Sequence, residues 1–416
     1  MDRRRLAPCL ALTLLLAAAR CDRPADSSSD RPLLLDPPES LLSITRGATL
    51  VHRTGEYDLQ VSPLLAIDSD PRTWWATPME DPDQSATFAL AGIAEVRRIG
   101  FSTGTFEGYR APRSIAFESS LDGSSFSPLG RVRLDDYGEA WLEVPPTPTL
   151  YVRVTTDEGF HPEARQILVP TLFVEGSEPA AAPRPDASGG WRINGFHAVF
   201  DAGESIVRGV VLEDPPRSLE GGWDGRLIRF AWAREAERGV GAATLDSEGK
   251  ALGALMWYLR PDPPFFGASW TGSRASSGSR PQGGPDPMEV FLRMDGRYPL
   301  YGLEFEGTKL REGSAPAVRR LAEALRARRP GRCRLVAHHV GSDSAEADRR
   351  IAAERLESLR AALIAAGADL AGTELVASGR AEAVSAPDRP WTPLQVRLNN
   401  RIDLVVTEPD GGGPPR

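Results

Sequence analysis

Residues 298–407 constrain the fold most, because their hydrophobic pattern alternates between the strand and helix periods. A short apolar strand at residues 303–305 is followed by a helix that Ser314 can cap and that Pro330 and Gly331 end. The apolar residues of this helix recur every three or four positions, at Val318, Leu321, Ala322 and Leu325. This spacing places them on one face, so we expect the helix to pack against a sheet.

A second strand and a second helix follow in the same stretch. The strand covers residues 333–337, and Asp343 with Glu346 predicts a capping box at the start of the helix, which Gly367 ends. The apolar face of this helix consists of Ala352, Leu356, Leu359, Leu363 and Ala366. Two further strands are predicted, at residues 374–377 and 401–406. The order strand, helix, strand, helix, strand, strand predicts a C-terminal α/β sandwich with helices on one sheet face.

Four short motifs occur in order along this stretch. They are Ala337-His338-His339-Val340, Arg355, Gly379-Arg380-Ala381-Glu382 and Asn399-Asn400-Arg401-Ile402-Asp403. In this order and spacing they resemble the OmpA-like peptidoglycan-binding domain, over roughly a quarter of the chain. The resemblance implies that residues 288–408 form a domain that binds peptidoglycan.

The resemblance also implies which residues contact the ligand. In the family, a loop aspartate and a helix arginine hold the zwitterionic end of diaminopimelate in the cell-wall peptide through charge-assisted hydrogen bonds. Arg355 matches the arginine, whereas Val340 stands at the aspartate position. Asp343 could replace that aspartate or could serve only as the helix cap. The remaining implied site residues are His338, Asn399 and Arg401.

Residues 39–176 show short strands and turns at the spacing of an all-β sandwich. Four motifs occur in order: Ala66-Ile67-Asp68-Ser69-Asp70-Pro71-Arg72-Thr73-Trp74-Trp75, residues 84–90, Ser120-Leu121-Asp122-Gly123 and Leu172-Phe173-Val174-Glu175-Gly176. Together they resemble the discoidin family, also called the coagulation-factor type C or galactose-binding-like family. The resemblance implies a jelly roll whose loops at one end bind sugars, lipid headgroups or proteins.

Calcium often stiffens one of these loops in the discoidin family, which makes calcium the candidate cofactor here. Asp68, Asp70 and the carbonyl of Thr73 are oxygen ligands of the kind that calcium takes. The alternative is that the two aspartates close a turn by accepting hydrogen bonds from backbone N–H groups. Both interpretations are open at this point.

Four side chains are candidates for ligand contact in the discoidin-like region and are expected to be exposed. They are Trp75, Tyr109, Arg110 and His161. A sugar face stacks on an aromatic ring and forms hydrogen bonds with polar neighbours. The pattern therefore predicts carbohydrate, or another component of the cell envelope, as the ligand.

In residues 191–270, short strands alternate with tight turns, which predicts an antiparallel β meander or a small barrel. Linkers rich in proline, glycine and serine are predicted on either side, at residues 177–190 and 271–287. Five tryptophans fall in this region: Trp191, Trp223, Trp232, Trp257 and Trp270. They could form a ligand platform, but packing within the barrel is favoured because aromatic residues are enriched in strands.

The N-terminus has the pattern of an export signal in residues 1–20. Three arginines precede an apolar run at residues 6–19, which is too short to span a bilayer. Two processing routes are open: ordinary cleavage after the small residues 17–19, or lipidation of Cys21. Residues 21–38 are then a flexible polar tether, and residues 409–416 a disordered tail.

Charge and motif content exclude several functions. The net charge of −8 argues against a partner nucleic acid, since nucleic-acid binders carry a basic face. The sequence lacks the motifs of serine hydrolases, zinc proteases, P-loop proteins and dinucleotide enzymes, so we expect no enzyme. Two alternatives are an envelope enzyme with its active site in the central β region and a structural adaptor without a small ligand.

These observations favour an exported protein on the periplasmic face of the outer membrane, attached by a lipid anchor. Its C-terminal domain is expected to bind peptidoglycan. Its discoidin-like domain is expected to bind a carbohydrate or another envelope protein.

Overall fold

A computed structural model gives the structure of the protein and describes residues 40–105, 108–179, 183–260, 265–275, 283–327, 333–381 and 391–407. By its contacts the chain divides into the units Met1–Asp30 and Arg31–Arg416, and all described residues belong to the second. The predicted signal peptide, tether and C-terminal tail, together with Cys21, lie outside the described residues. Among the described residues, no helix is both long enough and apolar enough to cross a membrane.

The first part of the structure consists of eight β-strands around an apolar core. They are β1 (Thr49–Arg53), β2 (Trp75–Ala76), β3 (Ser85–Ser102), β4 (Pro112–Ser120), β5 (Ser127–Arg133), β6 (Glu139–Gly159), β7 (Leu168–Val169) and β8 (Thr171–Gly176). The main sheet has the order β1-β3-β6-β4-β5, with β8 also paired to β3, and β2 pairs with β7. Apolar residues such as Ile115 and Phe117 alternate with more exposed ones and are buried, as the period of two predicts. The all-β architecture predicted for residues 39–176 is therefore present.

The second part is a closed barrel of eight antiparallel strands. The strands are β9 (Gly189–Ile193), β10 (Phe196–Ala202), β11 (Ile206–Val211), β12 (Arg217–Asp224), β13 (Leu227–Arg234), β14 (Glu237–Leu245), β15 (Ala251–Tyr258) and β16 (Phe265–Arg274). The predicted small barrel is confirmed, and it extends into both predicted linkers. Large apolar side chains cluster together in it, including Trp191, Trp223, Phe230, Trp232 and Met256. Packing, rather than an open ligand platform, is the role of these tryptophans.

The alternate residues of the barrel strands pack outward against the rest of the chain. Leu227 and Leu255 belong to the same apolar cluster as the first β part, and Ala231 belongs to the cluster of the C-terminal part. Backbone contacts also join the first two parts, because Ser269 N–H donates to the carbonyl of Leu59 at 2.8 Å. The barrel is thus covered on more than one side.

The C-terminal part combines helices with a four-stranded sheet. Its elements are α1 (Pro287–Asp295), β17 (Arg297–Leu300), β18 (Phe305–Glu306), β19 (Lys309–Leu310), α2 (Ala315–Arg326), β20 (Cys333–His338), α3 (Ala345–Ala365), β21 (Glu374–Gly379), α4 (Pro393–Asn399) and β22 (Arg401–Val406). The sheet order is β17-β22-β20-β21, and only β20 and β21 are parallel. The predicted apolar faces of α2 and α3 are buried, as Leu321 and Leu359 illustrate.

The structure corrects several local predictions in this part. A strand was expected at residues 303–305, but β18 begins only at Phe305. It pairs with β19 in a short hairpin outside the four-stranded sheet. Helices α1 and α4 were not predicted, although Asp286 and Thr392 cap their starts with side-chain hydrogen bonds. Ser314 stands at the N-cap of α2, but its hydroxyl bonds to the backbone of Glu304 instead.

Candidate functional site

A pocket of about 330 Å³ lies between the barrel and the C-terminal sheet. Its wall includes five arginines, which are Arg229, Arg311, Arg355, Arg397 and Arg401. The acidic residues of this wall are Asp224 and Glu304. Guanidinium groups therefore outnumber carboxylates, and a pocket with this imbalance attracts anions.

Arg355, on α3, differs from the other four arginines of the wall, each of which lies within ion-pair distance of a carboxylate. Its Nε donates to the carbonyl of Gly307 at 3.1 Å, and its guanidinium carbon lies 5.2 Å from the centre of the Phe305 ring. Among the described residues, no carboxylate lies within ion-pair distance of this guanidinium. Burial and the neighbouring Arg229 lower the pKa of Arg355, while Asp224 opposes them. An anion in the pocket would relieve this unfavourable environment.

His339 supports Arg355 from the loop that follows β20. Its Nδ1 lies 3.2 Å from Nη1 of Arg355, and its Nε2 lies 4.0 Å from the buried carboxylate of Asp348. Burial and the charge of Arg355 lower the pKa of His339 to about 4, although Asp348 acts in the opposite direction. His339 is therefore neutral near pH 7, and its Nδ1 accepts a hydrogen bond from Arg355.

His338 and Arg401 line the pocket but are held by Asp403, which is fully buried. Arg401 donates to Asp403 from Nε at 2.8 Å and from Nη2 at 3.0 Å. His338 Nε2 lies 3.2 Å from the same carboxylate, and its Nδ1 lies 2.7 Å from the carbonyl of Ala381. Burial raises the pKa of Asp403, but Arg401 and His338 outweigh it and lower the pKa to about 2. His338 and Arg401 thus lie in the pocket wall while Asp403 engages both side chains.

Asp343 and Asn399 lie outside the wall of the pocket. Asp343 is exposed and is not the helix cap, because the N-cap of α3 is Ser344, whose hydroxyl accepts from Ala347 N–H at 3.1 Å. Asn399 is buried at the end of α4, and its neighbour Asn400 lines the pocket in its place. The structure therefore places neither predicted contact where a ligand in the pocket would meet it.

Val340 is only 1% exposed, so its side chain faces the protein rather than the pocket. Its N–H donates to the side-chain oxygen of Asn400 at 2.7 Å. This hydrogen bond joins the loop after β20 to the turn between α4 and β22. An aspartate at position 340 would not complete a ligand site, because the position is closed to the pocket.

The barrel contributes three residues to the pocket that sequence reasoning missed: Asp224, Gly225 and Arg229. They belong to the β12–β13 hairpin. Arg397 donates to Asp224 at 2.9 Å, across 173 positions of sequence. No local pattern reports a contact of this separation, and Asp224-Gly225 by itself indicates only a tight turn.

A second group of predicted residues meets on the loops of the first β part. The rings of Tyr109 and His161 stack with their centres 5.1 Å apart, and Tyr109 is 45% exposed. Arg110 is exposed beside them and donates to the side-chain oxygen of Gln166 at 2.6 Å. Trp75 does not join this surface, because it is fully buried and donates from Nε1 to the carbonyl of Gly55. Its expected exposure was wrong: a strand residue of β2 packs into the core.

Asp68, Asp70 and Thr73 form a hydrogen-bonded turn. Asp68 accepts from the N–H of Asp70 at 2.8 Å, and the hydroxyl of Thr73 lies 2.9 Å from the same carboxylate. Arg72 forks onto Asp70 at 2.6 and 2.8 Å. Burial and the neighbouring Asp70 raise the pKa of Asp68. Across the described parts of the chain, no group of three or more histidine, cysteine, aspartate or glutamate residues is placed to hold a metal ion.

Comparisons with known proteins reach only part of the chain. No protein-family model matches it, and no curated protein matches it. Similar solved structures include family 32 carbohydrate-binding modules of Clostridium perfringens. One module, from a family 31 glycoside hydrolase, is 16% identical, covers 32% of this chain and 92% of its own, and has a TM-score of 0.29.

Two further modules from the same organism were solved with sugars. The CpGH89 module CBM32-5, in complex with GalNAc-β-1,3-galactose, is 22% identical and covers 31% of this chain and 94% of its own, with a TM-score of 0.28. The NanJ module, in complex with galactose, is 16% identical and covers 31% of this chain and 93% of its own, with a TM-score of 0.28.

Proposed function

We propose that this chain is an exported cell-envelope protein whose arginine-lined pocket binds the carboxylate of a peptidoglycan stem peptide. The observation that carries the proposal is Arg355, half-buried in the pocket without a carboxylate partner among the described residues. A guanidinium recognises a carboxylate through two parallel hydrogen bonds. The OmpA-like motifs around Arg355 supply the second line of support.

The pocket favours a carboxylate for electrostatic reasons. Asp224 is already paired with Arg397, and its pKa is lowered because Arg229, Arg397 and Arg355 outweigh the effect of its burial. Burial raises the pKa of Glu304, and its nearest guanidinium atoms lie 3.3 Å away on Arg184 and 4.0 Å away on Arg311. The pocket therefore offers one guanidinium without a carboxylate partner among the described residues and one half-buried carboxylate, Glu304, which suits a ligand that carries both an acid and an amine.

Sedimentation with purified sacculi tests the proposal. Arg355→Gln removes the guanidinium and should weaken binding by about tenfold to a hundredfold, the effect of losing a charge-assisted contact. Arg350→Gln is the matched control, because Arg350 is exposed on the same helix and its loss changes the net charge equally. Equal sedimentation of Arg355→Gln and wild type would reject the proposal.

Export and membrane attachment rest on the leader and on Cys21. A lipid on Cys21 would hold the protein at the periplasmic face of the outer membrane, within reach of the cell wall. Palmitate labelling of wild type and Cys21→Ala distinguishes lipidation from ordinary cleavage. A binding role is favoured over an enzymatic one because apolar side chains pack together within the barrel strands.

We propose carbohydrate binding as a second function, at the surface of Tyr109, Arg110 and His161. The specific observation is an exposed, stacked aromatic pair beside an arginine, which can offer both a ring face and hydrogen-bond donors to a sugar. Galactose and GalNAc-β-1,3-galactose are suitable probes in calorimetry. Tyr109→Ala should abolish sugar binding, whereas Tyr57→Ala, which removes a more exposed tyrosine elsewhere, should not. Equal binding by both variants would reject this second site.

A further inference from the structure

Arg229 of β13 bridges the barrel to the end of α4. Its Nη1 donates to the carbonyl of Arg397 at 2.7 Å and to the carbonyl of Asn400 at 2.6 Å. These carbonyls lie in the last turn of α4 and at its C-cap, where helix carbonyls lack partners within the helix and carry partial negative charge. The side chain is only 7% exposed, so water does not compete freely for these bonds.

A chain of hydrogen bonds runs from this bridge to the ligand-binding arginine. The carbonyl of Asn400 is held by Arg229, and the side chain of Asn400 accepts from Val340 N–H at 2.7 Å. The preceding residue, His339, contacts Arg355. Movement of the α4–β22 turn would therefore shift the loop that carries His339, and with it the guanidinium of Arg355.

The barrel is also fixed against the C-terminal part by close backbone packing. A Cβ atom added to Gly222 of β12 would lie 2.4 Å from the Cα of Gly302 and 2.7 Å from the carbonyl oxygen of Tyr301. Tyr301 in turn donates from its hydroxyl to the carbonyl of Leu398, in α4, at 3.1 Å. Two backbones that meet this closely leave little room for relative displacement.

We infer that the barrel is part of the ligand site and that Arg229 is a positioning residue. It holds the α4–β22 turn and, through Asn400 and the loop of residues 339–340, sets the geometry of Arg355. This inference rests on the proposed function of the pocket. It gives the apolar-packed barrel a role: its outer face completes a site that the C-terminal sheet alone does not form.

The test uses the full chain and sedimentation with purified sacculi. Arg229→Gln should weaken binding by about tenfold, since residues coupled through a hydrogen-bond network share their effects. Arg229→Lys keeps the charge and a donor for the two carbonyls and should bind within about threefold of wild type. Arg192→Gln is the matched control, because Arg192 is an exposed barrel arginine outside the pocket.

A double variant separates positioning from general loss of structure. If Arg229 acts through Arg355, then Arg229→Gln with Arg355→Gln should bind no more weakly than Arg355→Gln alone. Losses that multiply in the double variant would overturn the inference. The inference would also be overturned if Arg355→Gln abolished binding while Arg229→Gln left it unchanged. Unchanged binding in Arg355→Gln would instead refute the proposed function itself.

Thermal unfolding shows whether each variant is folded at the temperature of the binding measurement. If Arg229→Gln fails to fold, Asp224→Asn takes its place, because it removes the carboxylate that pairs with Arg397 and lies 3.4 Å from Arg229. Folded Asp224→Asn with weakened binding would support the inference. Folded Asp224→Asn with wild-type binding would count against it.

Discussion

Nη1 of Arg355, an arginine of the pocket wall, lies 3.2 Å from Nδ1 of His339, so a cation and a histidine share one hydrogen bond. Only the neutral imidazole can accept this bond, because both nitrogens of a protonated histidine are donors. Burial and Arg355 together lower the pKa of His339 to about 4 from an ordinary value of 6.5. The hydrogen bond between Arg355 and His339 is therefore present at neutral pH and is lost when the imidazole is protonated in acid.

The first prediction concerns stability between pH 6.5 and pH 4. The folded state binds fewer protons at His339 than the unfolded state in this window, so stability is complete above it and falls as the pH is lowered through it. The free energy of unfolding lost through protonation of His339 is about 3 kcal/mol at most. Urea unfolding should show that His339→Gln loses less stability than wild type across the window. Parallel pH profiles for the two proteins would disprove the lowered pKa.

The second prediction is that Asp403→Asn strongly destabilises the protein. Asp403 is fully buried and forms an ion pair with Arg401, whose side chain is 1% exposed, so its loss removes a carboxylate that compensates a buried cation. The expected cost is about 3–5 kcal/mol in urea unfolding. Glu357→Gln, which changes an exposed carboxylate on α3, should cost less than about 0.5 kcal/mol.

The same carboxylate also makes stability depend on pH, because its pKa is lower in the folded state than in the unfolded state. Because the pKa of Asp403 is lowered to about 2 from 3.8, its contribution is complete above about pH 4 and is lost as the pH falls toward 2. Asp403→Asn should lack this part of the acid unfolding profile. An unchanged profile in the variant would contradict the ion-pair network around Arg401.

The third prediction is that Gly222→Ala loosens the contact between the barrel and the C-terminal part. The added methyl group would overlap backbone atoms of Gly302 and Ser205, which cannot turn aside as side chains do. Overpacking of this kind costs about 1–3 kcal/mol and should also weaken sacculus binding. Gly313→Ala is the control, because a Cβ there meets no atom within 4 Å. Equal melting temperatures for the two variants would contradict the close packing.

The fourth prediction concerns Val340→Asp, which would restore the residue type of the OmpA-like motif. Val340 is 1% exposed, so the new carboxylate would be buried away from the pocket. We expect a loss of about 3 kcal/mol in stability and no gain in binding. Val340→Thr keeps the shape without the charge and should be milder. Stronger sacculus binding by a stable Val340→Asp protein would show that this position faces the ligand.

Sequence patterns predicted the elements well where local period decides them. Alternation along β13 separates inward residues such as Phe230 and Trp232 from outward ones, and Arg229 is one of the outward residues. This alternation does not indicate which residues of other elements an outward side chain will contact. Arg229 contacts residues 168 and 171 positions away, and only the packing of the barrel against α4 brings them together.

Burial was the other limit of sequence reasoning. Trp75 and Val340 fall in motifs that suggest ligand loops, yet both are almost fully buried. Arg401 matches its motif as well, but its guanidinium forms an ion pair with the neighbouring Asp403. A motif reports which residue types occur, whereas the packing decides which of them reach a ligand. Arg355 is the candidate for which motif and packing agree.

Calorimetric titration of the full chain with a purified muropeptide tests the central claim most directly. The stem peptide carries the carboxylate that Arg355 would bind, and a glycan strand stripped of its peptides does not. Wild type should bind the muropeptide but not the stripped glycan at this pocket, Arg355→Gln should lose the muropeptide signal, and Arg350→Gln should retain it. Undiminished muropeptide binding by Arg355→Gln, or equal binding of muropeptide and stripped glycan by wild type, would contradict a carboxylate site at Arg355.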